Sequence, residues 1–141
     1  MSLFEKIRDG IEPANIVYQD EYVTAFEDKF PSAPVHILII PNKMVKSLDE
    51  ISEEDEIYLS KILLSASKIA KLKNINKSGY RLITNCNKDG GQEIEYLHFH
   101  LVGGLPLGRM IGLPKESQKK FKTYKNSKKE LPLSTTTNNN N

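Results

Sequence analysis

The stretch Gly90-Gly91-Gln92-Glu93-Ile94-Glu95-Tyr96-Leu97-His98-Phe99-His100-Leu101-Val102-Gly103-Gly104 decides how this chain is read. Its alternating character from Ile94 to Val102 predicts a β-strand, entered through a glycine turn. On such a strand Tyr96, His98 and His100 line one face, while Leu97, Phe99 and Leu101 line the other. Two of the three histidines of the chain therefore stand side by side. Imidazole is nucleophile, proton donor or metal ligand near neutral pH, so this face is where chemistry is expected. An H-x-H pair also occurs on plain solvated sheets, and the weight of the reading falls on its surroundings.

Upstream, Gly79 to Asn85 reads as a strand and Asn87-Lys88-Asp89-Gly90-Gly91 as the turn between the two. Ser52 caps a long helix from about Glu53 to Leu72, with acids in its first turn and lysines in its last. Leu59, Ile62, Leu63, Ala66, Ile69 and Ala70 recur on it at helical spacing and form its core face. Before that helix, His36-Ile37-Leu38-Ile39-Ile40 is an apolar strand. The proline loop Pro31-Ser32-Ala33-Pro34 precedes it and Pro41-Asn42-Lys43 ends it. Ile16 to Tyr18 and Val23 to Glu27 are two short strands joined by Gln19-Asp20-Glu21. Ser2 and Glu5 form a capping box for a short opening helix that runs to about Asp9. Strands that succeed one another through turns, with one long and one short helix, define an antiparallel α+β domain.

Downstream of Gly112 the composition changes. Seven lysines (115, 119, 120, 122, 125, 128 and 129) fall within fifteen residues, and the chain ends in Ser134, three threonines and four asparagines. Such a segment offers little apolar surface to bury. The expectation is one folded domain over residues 1–114 and a disordered basic tail over 115–141. The tail's functional reading is a weak, salt-sensitive contact with an anionic partner such as nucleic acid.

At 141 residues with a net charge of +2, the chain suits one globular domain with a sizeable core. No apolar run approaches the length of a membrane span. The N-terminus lacks the basic-then-apolar layout of a signal peptide. Cys86 is the single cysteine, which excludes an intramolecular disulfide and fits a reducing compartment. These features point to the cytoplasm, and the small size is compatible with passive entry to the nucleus.

Asp28, Pro31, Pro34, His36, Pro41, Asn85, Gly90-Gly91-Gln92, His98, His100 and Gly103-Gly104, in this order and spacing, resemble the histidine-triad (HIT) superfamily. The likeness is closest to its nucleotide-binding, nucleoside phosphoramidase branch and runs from about Phe4 to Pro114. It implies a five-stranded antiparallel sheet, joined to a second copy in a homodimer to make one ten-stranded sheet. It also implies hydrolysis of phosphoramidate, and in some cases acyl, derivatives of AMP or GMP through a nucleotidyl-histidine intermediate, without a metal or other cofactor. By that resemblance His98 is the nucleophile, and His100 and His36 hold phosphate oxygens and help protonate the leaving group. Asp28 receives the ribose hydroxyls, Asn85 and Gln92 are polar contacts near the scissile bond, and Gly91 lets the backbone approach an anion.

The residues suit that chemistry in themselves. Phosphate oxygens repel a nucleophile unless donors are already set around them. A covalent histidine divides one difficult displacement into two easier ones. A carboxylate such as Asp28 accepts two hydrogen bonds and matches a vicinal diol.

The chain departs from the pattern at two places. Tyr96 stands where the family has the first histidine of H-x-H-x-H, with either packing or a substitute hydrogen bond as its role. The carbonyl of that residue orients the nucleophile, and any residue supplies a carbonyl. Glu93 replaces a serine or threonine of some members, and strand parity opposite to His98 turns it outward. Two other functions are consistent with the same residues: a dinucleoside polyphosphate hydrolase, and a purine-nucleotide-binding protein with little turnover. Zinc on His36, His98, His100 and Cys86 is disfavoured because Cys86 faces away from Asn85 on its strand, leaving too few ligands for a tetrahedral site.

Overall fold

The structure is a computed structural model and describes residues 1–128. It divides into two units, Met1–Leu107 and the segment beginning at Gly108. Within the first, α1 (Leu3–Arg8) precedes β1 (Ile16–Gln19), β2 (Val23–Glu27) and β3 (Val35–Pro41). Then come two short 3₁₀ turns, α2 (Glu56–Leu72), β4 (Tyr80–Thr84) and β5 (Phe99–Gly103). All neighbouring strands are antiparallel, in the order β1-β2-β3-β5-β4. This is the α+β sheet expected from the sequence.

Both helix starts follow from capping chemistry. The Ser2 hydroxyl accepts from the Glu5 amide while the Glu5 carboxylate accepts from the Ser2 amide. Ser52 and Asp55 make the same reciprocal pair, which satisfies amides a helix would otherwise leave orphaned.

Strand alternation divides the sheet into two environments. Ile37 and Ile39 of β3, with Phe99 and Leu101 of β5, pack against Ile62, Ala66 and Ile69 of α2, whereas Leu63, expected on that face, is exposed. Leu38 and Ile40 face the other way and join Phe4, Ile7, Phe26 and Tyr96 under α1. His36 and His100 belong to that second face, so the same pleat that builds the core also sets out the histidines.

The last strand is shorter than its sequence pattern. Residues 94–98 have no ladder, because their backbone groups are engaged elsewhere. The Leu97 amide donates to the Val45 carbonyl at 2.7 Å. The Tyr96 carbonyl is taken by the His98 ring, and the His98 carbonyl accepts from the Thr84 hydroxyl at 2.8 Å.

In the second unit Lys115–Lys128 is a helix, α3, with no buried residue, where a disordered segment was expected. Its support is local. Phe121 and Tyr124 stack with centroids 6.3 Å apart, the Lys125 ammonium lies over Phe121 and that of Lys128 over Tyr124. These are i,i+3 and i,i+4 neighbours on one helix, and lysine is a good helix former. The remainder of the expected tail, residues 129–141, lies outside the described residues. Among the described residues no helix is long and apolar enough to cross a membrane.

Candidate active site

A cavity of about 1150 Å³ opens on the sheet face away from α2. One end is apolar, with Leu3, Phe4 and Ile7 of α1 and Phe26 and Leu38 of the sheet. Asp28, His36, His98 and His100 line its middle, and Asn85, Gly91 and Glu93 belong to the loop before His98.

The histidines are ordered by a chain of hydrogen bonds whose direction can be worked out. Ser32 lies in the proline loop, and its amide donates to Nδ1 of His36 at 2.9 Å. A backbone N–H can only donate, so Nδ1 of His36 carries a lone pair and its proton sits on Nε2. That Nε2 lies 2.9 Å from Nδ1 of His100 and 3.3 Å from a carboxylate oxygen of Asp28. His36 and His100 are diagonal neighbours across β3 and β5, since His36 pairs with Val102 and Leu38 with His100. Accepting at Nδ1 leaves His100 with its proton on Nε2. At His98 the order is reversed, because Nδ1 lies 2.7 Å from the Tyr96 carbonyl. A carbonyl can only accept, so His98 holds its proton at Nδ1 and presents a bare lone pair at Nε2. The pair therefore offers the cavity one nucleophilic nitrogen and one N–H donor.

Burial is the first cause pushing His100 down to a pKa of about 4, with the neighbouring His98 and His36 adding to it and Asp28 opposing. At neutral pH His100 is an uncharged donor and not a reservoir of protons. This alters the expectation that it protonates a leaving group. His36 differs too. Both its ring nitrogens are engaged within the protein, so it acts on the cavity through His100.

The other expected residues divide. Asp28 accepts from the Phe30 amide at 2.8 Å through one oxygen and turns the other toward His36. Asn85 and Gly91 line the cavity; the Asn85 amide donates to the Gly90 carbonyl at 2.6 Å and closes the turn. Gly91 adopts φ +81°, a left-handed conformation that suits glycine. Gln92 is not brought to the histidines. Its amide nitrogen donates to the carbonyls of Lys46 (2.7 Å) and Ile94 (2.9 Å), and its oxygen accepts from the Asn87 amide at 3.0 Å. It clips the loop to the body of the domain.

Tyr96 is packing. Its ring is fully buried, its phenol donates to the Pro41 carbonyl, and Arg8 Nη1 approaches the phenol oxygen at 3.4 Å. Phe4 bridges it to His98, with edge-on contacts to Tyr96 and to His98 at 6.0 and 5.2 Å. Glu93 is exposed, yet it is not turned away from the cavity as strand parity implied. Residues 93–95 are not a strand, parity does not apply to them, and Glu93 lines the cavity. The sequence reading also missed the contribution of α1, whose apolar residues beside a capping box gave no sign of walling a site.

Asp28, His36 and His100 bring three ligand-type atoms within 4.8 Å of one another and are the residues that could hold a metal. Their proximity is already accounted for by the hydrogen-bond chain. Cys86 is not among them.

A five-stranded antiparallel sheet that gathers three histidines, two of them hydrogen-bonded to each other, beside an apolar pocket with a carboxylate defines the histidine-triad class. Residues 10–107 match the HIT domain family. Over 110 residues the chain is 48% identical to the purine nucleoside phosphoramidase of Escherichia coli, covering 78% of this chain and 92% of that one. It is 50% identical over 109 residues to an uncharacterized HIT-like protein of Buchnera aphidicola, covering 77% of this chain and 97% of that one. The crystal structure of a HIT family hydrolase from Legionella pneumophila superimposes with a TM-score of 0.77 at 39% identity, covering 79% of this chain and all of that one. The chain belongs to the HIT domain family.

Proposed function

We propose that the protein is a purine nucleoside phosphoramidase, hydrolysing the P–N bond of AMP or GMP phosphoramidates. The observation that carries this is the opposed pair of tautomers, with a lone pair on His98 Nε2 beside an N–H on His100 Nε2. The similarity to the Escherichia coli enzyme supports the choice of substrate.

In this reading the purine enters the apolar end and the ribose diol meets Asp28. His100 donates to a non-bridging phosphoryl oxygen, stabilising charge as it develops. Nε2 of His98 attacks phosphorus, and the new imidazolium is held by the Tyr96 carbonyl through Nδ1–H. The P–N bond to the leaving group breaks as that nitrogen takes up a proton from water in the open cavity. Water then attacks the nucleotidyl-histidine, breaking the P–Nε2 bond and releasing the nucleoside monophosphate. No metal or cofactor takes part.

The test is turnover of adenosine 5′-phosphoramidate by the wild type and by His98→Ala, with AMP binding measured for both. Release of AMP by the wild type alone, with binding retained by the variant, is the expected result. AMP binding without release by the wild type would favour a nucleotide-binding protein instead.

The same reading includes a homodimer, supported by the unpaired outer edge of β4 and by Leu63, Leu64 and Leu72 of α2, each more than half exposed. Helix α3, with six lysines against one glutamate, would give a weak contact with nucleic acid. The single cysteine suits a cytoplasmic location.

A further inference from the structure

We propose that Glu93 selects the leaving group, so that the site favours nucleotidyl amides whose departing amine carries a positive charge and rejects polyphosphate leaving groups. This rests on the phosphoramidase reading and specifies its substrate class.

The argument begins with the charge of the cavity wall. Glu12, Glu27, Asp28 and Glu93 line it against Lys29 alone. Two of the four acids are occupied: Glu27 pairs with Lys73 at 3.3 Å, and Asp28 is held by the Phe30 amide and by His36. Glu93 is exposed and makes no hydrogen bond or ion pair among the described residues. His100 supplies no compensating charge, since burial and its histidine neighbours keep it neutral at working pH.

Position assigns Glu93 its role. The apolar end, built by α1, β2 and β3, is the place for a base, and Asp28 is the place for a ribose. Glu93 belongs instead to the loop that carries Asn85 and Gly91 and leads into His98. In the proposal it stands against the group displaced from phosphorus.

A negatively lined cavity that receives an anionic phosphate favours a substrate bringing its own cation. In a phosphoramidate of a diamine, one nitrogen bonds phosphorus and leaves as the amine on taking up a proton. The distal ammonium, meanwhile, faces Glu93. A nucleotide leaving group would add negative charge at the same place, which disfavours dinucleoside polyphosphates.

The experiment compares three adenosine 5′-phosphoramidates of matched length, with 2-aminoethyl, n-propyl and 2-carboxyethyl on nitrogen, together with the unsubstituted phosphoramidate. For the wild type, kcat/KM should fall in that order across the three, spanning at least about tenfold, as expected for one charge in a partly hydrated site. Glu93→Gln should shrink the span to about twofold and Glu93→Lys should reverse it, with unfolding midpoints of the variants near wild type and AMP binding no weaker. Equal rates for the three in the wild type, or a span unchanged by Glu93→Gln, would overturn the role of Glu93 and leave the phosphoramidase reading standing. No turnover of the unsubstituted compound would instead remove that reading and this inference together.

Discussion

Replacing Tyr96 by phenylalanine separates two roles that this position could have. The phenol is fully buried, and burial holds its pKa above the ordinary tyrosine value, against the lowering influence of Arg8. It stays protonated and donates to the Pro41 carbonyl at the end of β3. Removing it leaves that carbonyl without its side-chain donor in a place water does not reach, which costs about 1–3 kcal/mol. Arg8 retains the Asn42 carbonyl at 3.0 Å, so the guanidinium is not stranded. Tyr96→Ala would also open a cavity beside Phe4 and cost about 3–5 kcal/mol, enough to unfold much of a marginally stable domain. In neither variant does the backbone carbonyl that accepts from His98 change. Urea unfolding of Tyr96→Phe should therefore show a lower midpoint at constant slope. Its kcat/KM for adenosine 5′-phosphoramidate should stay within about threefold of wild type, because no interaction particular to the transition state is lost. Unchanged stability with a tenfold or greater fall in kcat/KM would refute the reasoning and place the phenol in the chemistry.

Three further predictions concern other parts of the molecule. The folded pKa of His100, about 4, lies below its ordinary value of about 6.5. The unfolded chain therefore binds a proton first, and stability is lost as pH falls from about 6.5 to 4. His100→Gln should flatten that part of a plot of unfolding midpoint against pH. Gly90→Ala should lower kcat/KM by more than about tenfold while leaving most of the fold, because its Cβ would lie 2.4 Å from the Cys86 carbonyl oxygen and force the cavity loop to move; circular dichroism beside a rate assay checks both halves. Binding of a fluorescent single-stranded oligonucleotide should weaken steeply with salt and further in Lys119→Glu/Lys122→Glu, with phosphoramidase activity unaltered; binding that ignores salt would count against α3 as the contact.

The sheet and its helices were legible because their signals are periodic and local. The strand at His36–Ile40 reads as buried from four consecutive apolar residues, Ile37 to Ile40, and α2 from the spacing of Ile62, Ala66 and Ile69. His98 and His100 were legible as neighbours from alternation, whereas His36 joined them only through the family resemblance, because the β3–β5 pairing that brings it there is not written in alternation. What the sequence hid was the backbone of residues 92–98. Alternation continues through them, yet their amides and carbonyls are taken by Val45, by the His98 ring and by the Gln92 amide. Hence the place of Glu93 on the cavity wall and the structural use of Gln92 were both out of reach. Helix α3 was hidden for another reason. A lysine-rich segment with nothing to bury reads as disorder, and its i,i+4 ammonium–ring contacts are too weak individually to announce a helix.

The two ends of the histidine set differ in what they demand of the sequence, and this explains how the chain tolerates Tyr96. His98 is oriented by a main-chain carbonyl, so the side chain at residue 96 is free to serve the core instead. His100 depends on a side chain, since its tautomer is fixed by His36, and His36 in turn by the amide of Ser32 between two prolines. Replacing His36 by a residue with no Nε2–H donor would release the tautomer of His100, and with it the N–H that His100 presents to the cavity. A triad histidine is thus dispensable where the backbone does its work and indispensable where only another imidazole can pass the direction of a hydrogen bond across the sheet.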